Sequence, residues 1–175
     1  MLPAADNSHK WPLKKYTTQV AMIVSVLLLA TASVAVAQVC LNITAQEVVE
    51  VVNPDGKKET KYIAPESILP KDVLLYSINY HNDSVESADA VVITNPIPEH
   101  MQYVDGSAGP RNHTDVVFSV DGGKSFNFPD KLFITAQNGQ QRRATAKDYT
   151  HIQWRFKNSL SPGDKGTVEY RARLE

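Results

Sequence analysis

Between residues 38 and 175 the chain reads as strands: apolar side chains alternate with polar ones in several segments, and no segment sustains the apolar period of a helix. Clusters of Ser, Asn, Gly, Pro and Asp break the pattern roughly every ten residues, the cadence of short strands joined by turns. Residues 46–52 form a valine-rich run into Asn53-Pro54-Asp55-Gly56, a tight-turn signal, and 58–64 return from it. In 72–82, Leu74, Tyr76, Ile78 and Tyr80 share one face, and Ser77, Asn79 and His81 the other. Residues 88–95 repeat the alternation, with Ala90, Val92 and Thr94 opposite Val91 and Ile93. The runs 116–120 and 124–128 flank Asp121-Gly122-Gly123 as a hairpin, 131–136 is a short strand, and 137–147 reads as a loop. The final pair is 151–157, with Ile152, Trp154 and Phe156 inward, and 166–174, with Val168, Tyr170, Ala172 and Leu174 inward. Eight or nine period-two strands predict an all-β chain: two antiparallel sheets packed on a shared core.

The first 37 residues follow a different logic. Lys10, Lys14 and Lys15 precede a charge-free stretch, 16–37, whose middle is the apolar run 21–30 and whose end is Ala35-Val36-Ala37. A basic region, an apolar region and small residues at positions −3 and −1 are the order of a secretory signal, with cleavage before Gln38. The alternative is an uncleaved anchor helix, since 20–37 is just long enough to cross a bilayer. Its weakly apolar second half suits a peptidase site better. A lipid attachment at Cys40 would need a small residue directly before it, and Val39 is not one.

Export sets the chemistry open to the remainder. Of the 18 Lys+Arg and 19 Asp+Glu, residues 1–37 hold three lysines and Asp6, which leaves 15 against 18 and a net charge of −3. The basic pairs Arg142-Arg143 and Arg171/Arg173 are isolated, so nucleic acid is excluded as a partner on charge. Cys40 is the sole cysteine, and no internal disulfide is available. It lies ahead of the first predicted strand; an inert, partly buried thiol is the expectation, with a Cys40-linked dimer the alternative.

Three segments resemble one family. Residues 70–82, PKDVLLYSINYHN, are similar to the opening signature P-G-D-x-V-x-Y-x-I-x-V-x-N of the prokaryotic conserved-repeat domain of unknown function, eleventh in its series. Residues 88–104 are similar to its next signature, A-x-N-V-x-V-x-D-P-L-P-x-G-L-x-Y-V, and 152–174 to its closing pair, W-x-I-x-x-L-x-P-G-x-x-x-x-V-x-F. The resemblance covers roughly 64–174 in the family's order. It implies an immunoglobulin-like β-sandwich of exported and cell-surface proteins, without enzymatic activity. Three positions depart from the pattern: Lys71 and His100 stand where glycine is usual, and Asn95 replaces an aspartate. The organisation expected is then a signal or anchor over 1–37, an N-terminal strand or hairpin extension over 38–63, and the immunoglobulin-like domain over 64–175.

Chemistry-bearing residues are scattered. His81, His100, His113 and His151 lie in four separate segments, Met101 beside His100, without the close spacing of a copper or zinc site. Asp121-Gly122-Gly123 and Asp105-Gly106 read as turns rather than calcium loops. No nucleophile elbow, metalloprotease motif or paired-carboxylate signature occurs, and Glu47, Glu50, Glu66, Glu86 and Glu99 are dispersed. A lysine–asparagine crosslink would nominate Lys61 and Asn79. The sequons at Asn42, Asn82 and Asn112 read as chance matches. Tyr103, Phe126, Phe128 and Tyr149 are the aromatics open to a glycan, while Trp154, Tyr76 and Tyr170 face inward.

The expected protein is thus an exported, non-catalytic structural or interaction module of the bacterial envelope, periplasmic or on the cell surface. Its expected partner is another envelope or surface protein, through strand addition at a sheet edge, with no cofactor, no metal and no membrane contact beyond the N-terminal segment. The alternative is a ligand-binding module for glycan or metal that uses loops at one end of the sandwich.

Overall fold

A computed structural model of the chain describes residues 38–108, 113–136 and 139–175; the predicted signal or anchor over 1–37 lies outside them. The hairpin at Asn53-Pro54-Asp55-Gly56 forms as its residues dictate. The Asn53 carbonyl accepts from the Gly56 N–H at 2.9 Å, its side-chain oxygen accepts from the Lys57 N–H at 2.9 Å, and Gly56 takes φ 77°. It joins β1 (Val39–Val52) to β2 (Lys58–Ile63). Then come β3 (Val73–Asn82), β4 (Val92–Pro96), β5 (Met101–Tyr103), β6 (Thr114–Ser119), β7 (Phe133–Thr135), β8 (Gln141–Arg143), β9 (His151–Phe156) and β10 (Lys165–Leu174). The only helical elements among the described residues are two 3-10 turns, Pro129–Lys131 and Ala146–Asp148.

All pairings are antiparallel, in a five-stranded sheet of order β2-β1-β3-β10-β5, a three-stranded sheet β4-β9-β6, and the hairpin β7-β8. The chain passes from one large sheet to the other between β3 and β4, β4 and β5, β5 and β6, and β9 and β10. Their inner faces supply a common core: Ile78, Val168, Tyr170 and Ala172 from the larger sheet, Ile93, Phe118, Ile152 and Trp154 from the smaller. Trp154 lies 6.1 Å from Tyr170, centroid to centroid, and Tyr80 meets Phe156 edge-on at 5.0 Å. Each such buried side chain contributes about 1.5–3 kcal/mol through loss of apolar surface from water. The Tyr170 hydroxyl stays satisfied: it accepts from the Asn95 amide at 2.8 Å and donates to the Pro96 carbonyl at 3.3 Å. Among the described residues every buried hydrophobic side chain lies between Leu74 and Ala172.

Ten strands among the described residues replace the expected eight or nine, and several boundaries move. β1 begins at Val39, so Cys40 lies within the first strand rather than ahead of it. The alternation of Val39, Leu41, Ile43 and Ala45 is the strand's own signature, paired along β3. Residues 124–128 do not form a strand. Phe118 and Asn127 make one bridge, and the five residues from Ser119 to Gly123 are instead gathered by the Ser119 and Asp121 side chains. β5 and β8 were not expected, because three-residue strands are too short to show a period.

Two matching turns close the central pair β3–β10. Asp72 donates its N–H to the Leu69 carbonyl at 3.0 Å and accepts the Leu69 N–H on its carboxylate at 2.7 Å. Asp164 does the same with Ser161, at 3.0 and 2.7 Å. Proline follows the first residue of each turn, and the third residue has positive φ, 82° at Lys71 and 80° at Gly163. Each turn also bonds the far end of the partner strand: Lys71 and Asp72 to Leu174, Gly163 and Asp164 to Asn82. Asn82, fully buried, donates to the Glu86 and Leu160 carbonyls at 2.9 and 2.8 Å and accepts from the Ser84 N–H at 3.1 Å and hydroxyl at 2.6 Å.

Two outcomes follow from these turns. Asn82→Ala removes four hydrogen bonds from a buried site, although the Leu160 and Glu86 carbonyls keep the Ala88 N–H and the Ser84 hydroxyl. Its expected cost is about 3 kcal/mol, read as a thermal midpoint lower by roughly 10 °C. Lys71→Gly removes left-handed strain worth roughly 1 kcal/mol and restores part of that as chain entropy, so urea unfolding should show a gain of about 0.5 kcal/mol. A loss of stability would contradict the assigned turn.

Candidate functional site

The strongest candidate is an edge, not a cavity. β1 pairs with β3 from Val39 to Glu47, but β2 joins its other side only from Glu47 to Val52. Residues 39–46 therefore present one unpaired row of backbone donors and acceptors among the described residues. Leu41 and Ile43 lie on the same face as Tyr80 and Ile78, their partners on β3, yet are 49% and 53% exposed. The three-stranded sheet is too narrow to cover that margin of the five-stranded one.

Open edges invite unwanted pairing, and proteins ordinarily block them with charge, proline or shortness. The other edges here carry such blocks. β2 has Lys58, Glu59 and Lys61; β4 ends in Pro96; β6 has Asp115; and the part of β10 beyond β5 has Lys165, Glu169 and Arg171. β5 and β7 are three residues long, and β8 carries Arg142 and Arg143. Residues 39–46, VCLNITAQ, have neither charge nor proline.

Cys40 sits on this edge, opposite His81 on β3, and is exposed rather than partly buried as expected. His81 Nδ1 lies 2.5 Å from Asp83 Oδ1. A hydrogen bond to the Asp83 carboxylate, slight burial and the carboxylate's negative charge hold the Cys40 thiol above its ordinary pKa. A thiol so placed is kept in its protonated form, the opposite of what a nucleophile or metal ligand requires. Among the described residues no group of three or more His, Cys, Asp or Glu is arranged to hold a metal ion.

The remaining nominated residues are not brought together. His100 and His113 occupy turns with φ 63° and 69°, and His151 packs beneath Gly123, edge-on to Phe126. Both oxygens of Asp121 accept from its own loop, from the Ser119 and Ser125 hydroxyls and the Lys124 and Ser125 N–H groups. Lys61 lies opposite Val49 on β2, whereas Asn79 is two strands away on β3, bonded by Thr167; the nominated crosslink does not form. Asn82 is sealed in the core with its amide committed twice, so that sequon is closed; Asn42 is exposed, and Asn112 lies outside the described residues.

Of the aromatics expected to be open, Tyr103 and Tyr149 are buried beside Phe118, and Phe128 remains exposed. Tyr62, which the sequence did not single out, is 44% exposed and accepts from Arg171 Nη2 at 3.1 Å. The two side chains, with Gln46, Glu169, Asp105 and Ser107, line a groove of about 700 Å³ on the outer face of the larger sheet. Its position on a sheet face differs from the sandwich-end loops expected for a ligand site. Tyr62 and Arg171 are 109 residues apart in the chain, so no spacing signal existed to join them.

Asp83→Asn removes the negative charge beside Cys40 and leaves a weaker amide acceptor in place of the carboxylate. The expected result is faster alkylation of the native protein by iodoacetamide near pH 8 than in the unaltered chain; an unchanged rate would show that Asp83 does not govern the thiol.

Compared with protein-family models, with curated proteins and with solved structures, the chain matches none.

Proposed function

We propose that this chain is an exported, non-catalytic interaction module of the bacterial envelope, built as an immunoglobulin-like β-sandwich and engaging a protein partner by strand addition along β1. The observation that carries the reading is the uncharged, unpaired edge 39–46, with Leu41 and Ile43 half exposed beside it. An added strand satisfies the free backbone groups, and alternate apolar side chains give it register.

The likeness to the conserved-repeat family is supported by backbone geometry. Lys71 and His100, the two positions where that family carries glycine, both adopt positive φ, 82° and 63°. The backbone there keeps the conformation that favours glycine although the residue has changed. The periplasmic or surface location rests on the signal pattern in residues 1–37.

A second reading, a glycan-binding module, draws on the groove at Tyr62 and Arg171. A single half-exposed ring bordered by amide, hydroxyl and charged groups suits one stacked sugar.

Site-specific photocrosslinking separates these readings. The full-length chain, tagged at its C-terminus, carries a photoreactive residue at Asn42 on the edge or at Asp130 on a remote turn, and is irradiated in cells. One defined protein, identified by mass spectrometry from position 42 and missing from 130, is the expected result. The same products from both positions, or none from either, would contradict strand addition.

A further inference from the structure

The strand-addition reading leaves the partner unnamed, and the edge itself narrows the choice. We propose that the open edge of β1 is filled by the same edge of a second copy of this chain, in a two-fold symmetric dimer whose five-stranded sheets join into one. The inference rests on the strand-addition reading and specifies its partner.

The window available to an incoming strand is closed at Glu47, where Ile63 of β2 already sits. Only residues 38–46 can be covered. An antiparallel copy centred on Asn42 covers all of them, with Asn42 opposite Asn42, Leu41 opposite Ile43, Cys40 opposite Thr44, Val39 opposite Ala45 and Gln38 opposite Gln46. Moving the centre by one residue in either direction shortens the overlap at both ends, because one strand then runs into β2 or past Gln38, whose carbonyl accepts from the Asp83 N–H at the end of the β1–β3 ladder. The longest uninterrupted register is also the one that pairs the two exposed apolar residues with each other twice. Cross-strand apolar pairs of this kind are the units that stabilise a sheet.

Charge favours the same occupant. A two-fold axis brings the same edge together twice, so a net charge carried by a lysine or glutamate in the window would be doubled across the axis rather than offset. None is present between Gln38 and Gln46. Among the described residues every other long edge carries charge or proline. Cys40 faces Thr44 across the axis, so the dimer is not joined through Cys40 itself.

The test uses residues 38–175, which contain the whole core. Sedimentation of this protein over a range of concentrations should show a monomer–dimer equilibrium. In a Cys40→Ser background, Asn42→Cys places two cysteines directly opposite each other. Opposed antiparallel residues have Cα atoms roughly 4.5–5.5 Å apart, within disulfide reach. Mild oxidation should then convert that variant to covalent dimer, while the unaltered protein, with Cys40 alone, should not convert. Ile43→Lys should abolish the dimer and still unfold as a cooperative monomer, with a thermal midpoint that no longer depends on concentration, since the side chain is half exposed.

A monomer at every concentration, or a dimer that survives Ile43→Lys and is not trapped by Asn42→Cys, overturns the proposal. If that monomer accompanies photocrosslinking of a different protein at position 42, the second copy is the wrong partner and strand addition stands. If position 42 captures nothing either, both fail together.

Discussion

The antiparallel pair β3–β10 is the constraint on which the rest of the molecule depends. It lies at the centre of the larger sheet, supplies Ile78, Val168, Tyr170 and Ala172 to the core, and is closed at both ends by turns of the same design. In each turn an aspartate carboxylate holds a backbone N–H three residues back, while neighbouring backbone groups bond the far end of the partner strand. A slip of one residue would turn every inner side chain outward, and the paired turns oppose it at both ends. Asn82 extends this hold to the loops that follow β3 and precede β10, because its amide reaches the Glu86 and Leu160 carbonyls.

With that pair in place, the inequality of the two sheets has a structural consequence. Five strands meet three, and the larger sheet's inner face runs past its cover on the β1 side. Leu41 and Ile43 are left half exposed, and the β1–β2 hairpin continues beyond the core with β2 exposed along its whole length. A two-stranded ribbon without a packed face is marginally stable alone. A strand added along 39–46 would extend the sheet beside that hairpin and complete the hydrogen bonding of the margin. The same geometry that leaves the domain incomplete gives it a defined place to be completed.

Much of this architecture was legible in the residues. The inner faces of β3, β9 and β10 follow from alternation alone: Leu74 and Ile78, Ile152 and Trp154, Val168, Tyr170 and Ala172 are buried as the pattern requires. Alternation reports which face is apolar, however, and not how far the opposing sheet reaches. Leu41 and Ile43 obey the same rule as Ile78, yet only the pairing of β1 with β3, and the width of the smaller sheet, leave them uncovered. Cys40 was misplaced for a related reason, since a strand whose two faces are both half exposed gives a weak contrast between them. Tyr62 and Arg171 meet by reaching over β1 and β3, a juxtaposition set by the strand order of the sheet and not by spacing in the chain. Lys71 and His100 read as departures from a family pattern until their backbone angles showed the glycine-like conformation retained.

Amide hydrogen exchange tests the central claim, a β1 edge open in the monomer and closed by a strand from a second copy, most directly. In the dilute protein only those amides of residues 39–46 that point toward β3 have partners, so the alternate ones should exchange quickly. At high protein concentration these alternate amides should become protected, while β2, β4 and β6 keep their dilute-state rates. Exchange across 39–46 that does not change with concentration, or protection that instead appears at another sheet edge, would contradict it.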